Sequence, residues 1–137
     1  MERLTYCVYN QTRECFLGLR IAPADTMWKR LKGLIGRIRL GYDEGLWVVP
    51  SRGIHTVGLV FPIDVIYLDQ NLLVVHLVEH VPAFRIAPLK AQAASVLQLP
   101  AHTIYSSQTQ VGDKLEICRP DEMKHRLGSR TAVRISR

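Results

Sequence analysis

The sequence predicts a mainly β domain, a compact sandwich or barrel of about eight short strands with one helix. Three observations carry that reading. Short runs rich in β-branched and aromatic residues recur along the chain. Proline and glycine separate them at close intervals, and helical spacing of apolar residues shows over one stretch, Asp25 to Gly36. At 137 residues the chain is long enough to bury a core as one unit. The expectation is therefore a single domain over 1–118, followed by a basic, flexible tail over 119–137.

Taken in order, Leu4–Tyr9 and Glu14–Ile21 read as strands joined by the turn Asn10–Arg13. Asp25 is an N-cap for a helix carrying Met27, Leu31, Leu34 and Ile35, and Gly36 stops it. Ile38–Gly45 is a loop, Leu46–Pro50 a short strand, Gly53–Val57 another, and Gly58–Phe61 a bend. Ile63–Leu68 is apolar on both faces apart from Asp64, the pattern of a strand covered on two sides. The turn Asp69–Asn71 leads to a partner strand, Leu72–Val81. After a loop over Pro82–Ala94, Ser95–Leu99 is a strand, His102–Gln110 at best one helical turn, and Leu115–Cys118 the last strand.

Charge and cysteines narrow the function classes. The net charge is +6, and the segment Arg119–Arg137 holds six Lys/Arg against Asp121 and Glu122, hence +4 of it. Lys29, Arg30, Lys32, Arg37 and Arg39 form a second basic cluster. Such surface can meet phosphates, but a solvated face explains it as well, and aromatics are not interleaved with it. A small-molecule or protein partner is thus favoured over nucleic acid. Cys7, Cys15 and Cys118 are odd in number and lack CxxC spacing, which argues against a disulfide framework. Cys7 and Cys15 are expected to face each other across the first hairpin. No apolar run reaches the ~20 residues of a membrane span, and Met1–Tyr6 has no basic and apolar leader, so a cytoplasmic location is expected. Neither a Walker A pattern nor GxGxxG occurs, and no cofactor is indicated.

The central stretch, Gly53 to Asp69, places His55 and Asp64 inside the longest apolar segment. A buried polar group without a partner costs roughly 2–7 kcal/mol, so these two residues are either structural pairs or a site. With a three-residue turn, Asp64 lies opposite His76. A bulge at Leu72 would set it opposite Val78 and diagonal to His76 and His80. A one-residue slip would put Asp64 and His76 on opposite faces. His55 and Asp64 could act as base and orienter, but Thr56 and Cys7 qualify as nucleophiles by residue type alone. Metal binding by His55, Asp64 and His76 has ligand chemistry but no ligand spacing, and no metal is assigned. Alternatively, Asp64 accepts backbone N–H groups or holds Arg52 or His55 as a structural pair.

Lys32-Gly-Leu-Ile-Gly-Arg37, Pro50-x-Arg52-x-Ile54-His55-Thr56-x-Gly58 and Phe61-Pro-Ile-Asp-Val-Ile-Tyr-Leu-Asp69 resemble the DUF192 family, also called UPF0127. Ser95-Val-Leu-Gln-Leu-Pro-Ala101 and Val111-Gly-Asp-Lys-Leu-Glu-Ile117 continue the resemblance, which covers about Ala24 to Ile117. It implies a small, mostly β domain of uncharacterised function. Leu72, His102 and Gln108 stand where that family commonly has glycine, which supplies positive φ at little cost. At Leu72 the expectation is that Asn71 takes up the unusual geometry. The favoured function is a non-enzymatic binding or accessory domain with a pocket near Arg52, His55, Thr56 and Asp64. A metal-dependent or His/Asp acid–base hydrolase and a nucleic-acid-associated module are the alternatives.

Overall fold

The computed structural model describes residues 5–24, 41–52, 61–82 and 88–123. Their strands are β1 (Tyr6–Asn10), β2 (Cys15–Ala24), β3 (Glu44–Val48), β4 (Ile63–Leu68), β5 (Val74–Val81), β6 (Ser95–Pro100) and β7 (Leu115–Cys118). Helix α1 (Thr103–Ser107) lies between β6 and β7. All seven strands join one sheet in the order β5-β4-β6-β3-β2-β1-β7, curled into a half-barrel. Neighbours are antiparallel except β2 and β3, which run parallel. The two ends of the sheet meet at one corner through a bridge between Leu73 and Lys114. There Val74 N–H donates to the Asp113 carbonyl at 2.9 Å and Leu115 N–H to the Leu72 carbonyl at 3.0 Å.

This is the mostly β class expected, with seven strands among the described residues. The expected helix from Asp25, the strand Gly53–Val57 and the cluster Lys29–Arg39 lie outside them, as does the chain beyond residue 123. Strands β4 and β7 coincide with the expected segments. The helical turn expected within His102–Gln110 is α1.

Alternation assigns the core. On the concave side Val8, Leu17, Ile21, Ile66, Leu68, Leu97, Leu99 and Leu115 pack together, and Ile104 from α1 closes the end. On the other side of β4 and β6, Phe61, Ile63, Val65, Tyr67 and Val96 form a second cluster. Strand β4 is therefore buried on both faces, as its unbroken apolar run requires. Gly45 is needed where β3 meets β6: a Cβ there would lie 2.6 Å from the Gln98 carbonyl oxygen and 2.8 Å from Ile21 Cδ1.

Three local expectations are corrected. In the β4–β5 hairpin the central pairs are Val65 with Val78, Ile66 with Leu77 and Tyr67 with His76. Tyr67, not Asp64, thus faces His76, and the odd register puts Asp64 on the opposite face. The cause is two irregularities: Val75 is an extra residue between the pairs of Tyr67 and Leu68, and Glu79 and His80 together oppose Asp64. At the turn, Leu72 itself adopts φ 63°, so the left-handed residue is not Asn71. Lastly, Cys7 is the register partner of Cys118 on β7, while Cys15 pairs with Asn10. The turn already pairs Asn10 with Cys15 and Tyr9 with Phe16, which carries Cys7 past Cys15, and the irregularities between Tyr6 and Tyr9 shift it further.

Candidate functional site

Strand β4 brings Asp64 to the end of the half-barrel where β5 carries its bulge and α1 begins. Asp64 is completely buried. Its Oδ1 accepts the backbone N–H of His80 at 2.8 Å, and its Oδ2 that of Ile104 at 2.8 Å. The first bond exists because the bulge, with His80 at φ 54°, turns that N–H away from the strand ladder. The second satisfies a first-turn amide of α1, whose own N-cap residue, His102, makes no side-chain cap bond. One carboxylate therefore ties β4, β5 and α1 together. Both of its oxygens are engaged, and no solvent path reaches them.

Two histidines that sequence reasoning did not connect meet above this carboxylate. The rings of His80 and His102 lie 5.5 Å apart, and both side chains are exposed. His102 has φ 77° and Gln108, which ends α1, has φ 55°. All three positions where the resembled family commonly has glycine are thus left-handed here. That coincidence was the signal available in the sequence. Two shallow clefts flank α1. One of about 340 Å³ is lined by Phe16, Tyr42, His102, Thr103 and Ser107. The other, of about 600 Å³, is lined by Glu79, Tyr105, Ser106, Gln108 and Gln110.

Of the other expected site residues, Arg52 is exposed, and its carbonyl accepts the Lys90 N–H at 2.9 Å. The ion pairs among the described residues, Arg13–Asp113 and Arg20–Asp43, do not include it. His55 and Thr56 lie outside the described residues. His76 is packed edge-on against Tyr67 at 5.1 Å, and burial followed by the Lys90 charge pushes its pKa down. Tyr67 is a committed donor to the Pro88 carbonyl, its phenol pushed up to about 12 by burial. Burial also raises the thiols of Cys7, Cys15 and Cys118, which keeps them protonated near neutral pH.

A second buried carboxylate was missed entirely. Asp113 accepts from Asn10 Nδ2 at 3.0 Å, Arg13 Nε at 3.1 Å and the Gln110 N–H at 3.0 Å. Burial pushes this carboxyl up, but those three donors outweigh it and hold it below its ordinary value. Asn10 also donates to Thr109 Oγ1 at 3.1 Å, so the network fastens the turn before β7 to the end of β1. Polar capacity is left unmet elsewhere: both carboxamide atoms of the fully buried Gln98 on β6 lack hydrogen-bond partners among the described residues.

Comparison with known proteins gives a family and a fold. Residues 8–117 match the sequence model of DUF192, described as "Uncharacterized ACR". No curated protein matches the chain. A protein of unknown function from Novosphingobium aromaticivorans is similar in structure, with a TM-score of 0.68 and 20% identity over 82% of this chain and 84% of that one. A putative transcription regulator from Sinorhizobium meliloti is similar with a TM-score of 0.67 and 18% identity, over 85% of this chain and 98% of that one. At these identities the likeness concerns the fold alone. Among the described residues, no helix is long and apolar enough to cross a membrane.

Proposed function

The chain belongs to the DUF192 family, whose function is uncharacterised, and on that premise we propose that it is a non-enzymatic binding domain. Its pocket forms at the α1 end of the half-barrel, where Asp64 holds the bulge at His80 and the first turn of α1 and the exposed rings of His80 and His102 meet. There it takes a small or anionic ligand, or a partner segment. Arg52, whose carbonyl accepts from Lys90 beside the Ser51–Ala94 bond, stands at the other end of β4. The observation that carries this reading is the state of Asp64. Acid–base chemistry needs a carboxylate that can reach a substrate proton. Asp64 instead holds two backbone amides in a fully buried setting. It acts as the brace of the site, and recognition falls to the groups around it.

A thermal-shift screen against small phosphates, carboxylates and amides tests the reading. A genuine ligand at a hundred times its Kd should stabilise the protein by about 2.7 kcal/mol. That gain should vanish in His80→Ala and His102→Ala, both exposed at the α1 end, whose ligand-free stability stays within about 1 kcal/mol of the parent. Hydrolytic turnover of ester or phosphoester substrates that depends on Asp64 and His55 would overturn it.

A further inference from the structure

Cys7 and Cys118 are directly opposite one another on the antiparallel strands β1 and β7. Register partners present their side chains on the same face. Both are buried, and they share one apolar cluster with Tyr9 and Met123 on the convex side. Opposed antiparallel residues have Cα atoms about 4.5–5.5 Å apart, inside the 4.4–6.8 Å range that a disulfide spans. Cys15 stands apart from them, packed with the concave cluster and donating its thiol to the Ser107 carbonyl.

We propose that Cys7 and Cys118 form a reversible disulfide clasp joining the two ends of the family domain. The two residues bracket the span 8–117 that matches the family. The product is uncharged and suits the apolar cluster that already holds the thiols, whereas a thiolate metal site would set charge in it. Access comes through the strand end. Along its length β7 is paired with β1, its corner contacts with β5 lie at the Lys114 end, and Cys118 is at the other end. Local opening there, under Met123, exposes the pair without unfolding the sheet.

The oxidant is a small disulfide such as oxidised glutathione. The Cys118 thiolate, slightly the more exposed at 8% against 5%, attacks one glutathione sulfur and expels one glutathione thiolate. The Cys7 thiolate then attacks the Cys118 sulfur of the mixed disulfide and expels the second. Two electrons pass from the protein thiols to the oxidant, and their two protons end on two glutathione thiols. Because the reactive form is the thiolate, the rate should rise with pH across 7 to 9.

The test incubates the folded full-length chain with oxidised glutathione, then maps peptides without reduction and measures Tm. The expected result is one Cys7–Cys118 link, no retained glutathione, and a Tm raised by roughly 5–10 °C that a dithiol reductant reverses. Met123→Ala should speed formation several-fold. Since Cys7→Ala alters the core, wild-type peptide mapping carries the decision. The proposal is overturned by glutathione retained on single cysteines, by a link through Cys15, by a link that forms only in denaturant, or by one that lowers Tm.

Discussion

His102 and Gln108 bracket α1, and each sits in a backbone region that disfavours side chains by roughly 1–2 kcal/mol. His102 is exposed, so replacing it removes that strain with little loss of packing. His102→Gly should therefore raise unfolding free energy by about 1 kcal/mol in urea titration, and an unchanged or lowered value would contradict the backbone assignment. Leu72→Gly would gain less, because Leu72 packs against the concave core. These positions were legible in part. The resemblance marked them as glycine sites, but which residue of the Asn71–Leu72 pair turns left-handed depends on backbone geometry that residue type does not encode. The Asp113 network was not legible at all, since Asn10 lies 99 residues from Thr109 and 103 from Asp113.

At the scale of elements, the apolar run bounded by Pro62 and Asp69 defined β4, and the run Leu115–Cys118 defined β7. Register was not open to the same reasoning. A strand's alternation tells which residues share a face, but one extra residue at Val75 flips everything after it. That flip moved His76 away from Asp64 and onto Tyr67. The parallel packing of β3 beside β2, with β6 on its other side, leaves no room at Gly45. Gly45→Ala forces its methyl against the Gln98 carbonyl and should destabilise by about 1–3 kcal/mol. Guanidinium unfolding reads that directly, and a neutral result would mean that the β3–β6 spacing is looser than described.

Across the whole molecule, the half-barrel is fastened at two places by buried carboxylates: Asp113 where the sheet ends meet, and Asp64 where α1 closes the core. The settings of Asp113 and His76 make stability fall on acidification. His76 has a folded pKa below its ordinary 6.5, so its contribution is full above that value and declines as pH falls through the folded pKa. Asp113 has a folded pKa below 3.8, so its contribution persists above that value and is lost as pH drops through the lowered one. Urea unfolding from pH 7.5 to 3 should show two declines, with the lower one flattened in Asp113→Asn. A rise in stability between pH 6 and 4 would reverse the sign assigned to His76. Equilibrium unfolding of Asp64→Asn separates a carboxylate that braces the fold from one that reacts. The amide replaces one acceptor by a donor facing a backbone N–H, so a loss of about 2–4 kcal/mol is expected. Unchanged or increased stability would contradict the bracing role, and would mark Asp64 as a residue retained for chemistry at the expense of the fold.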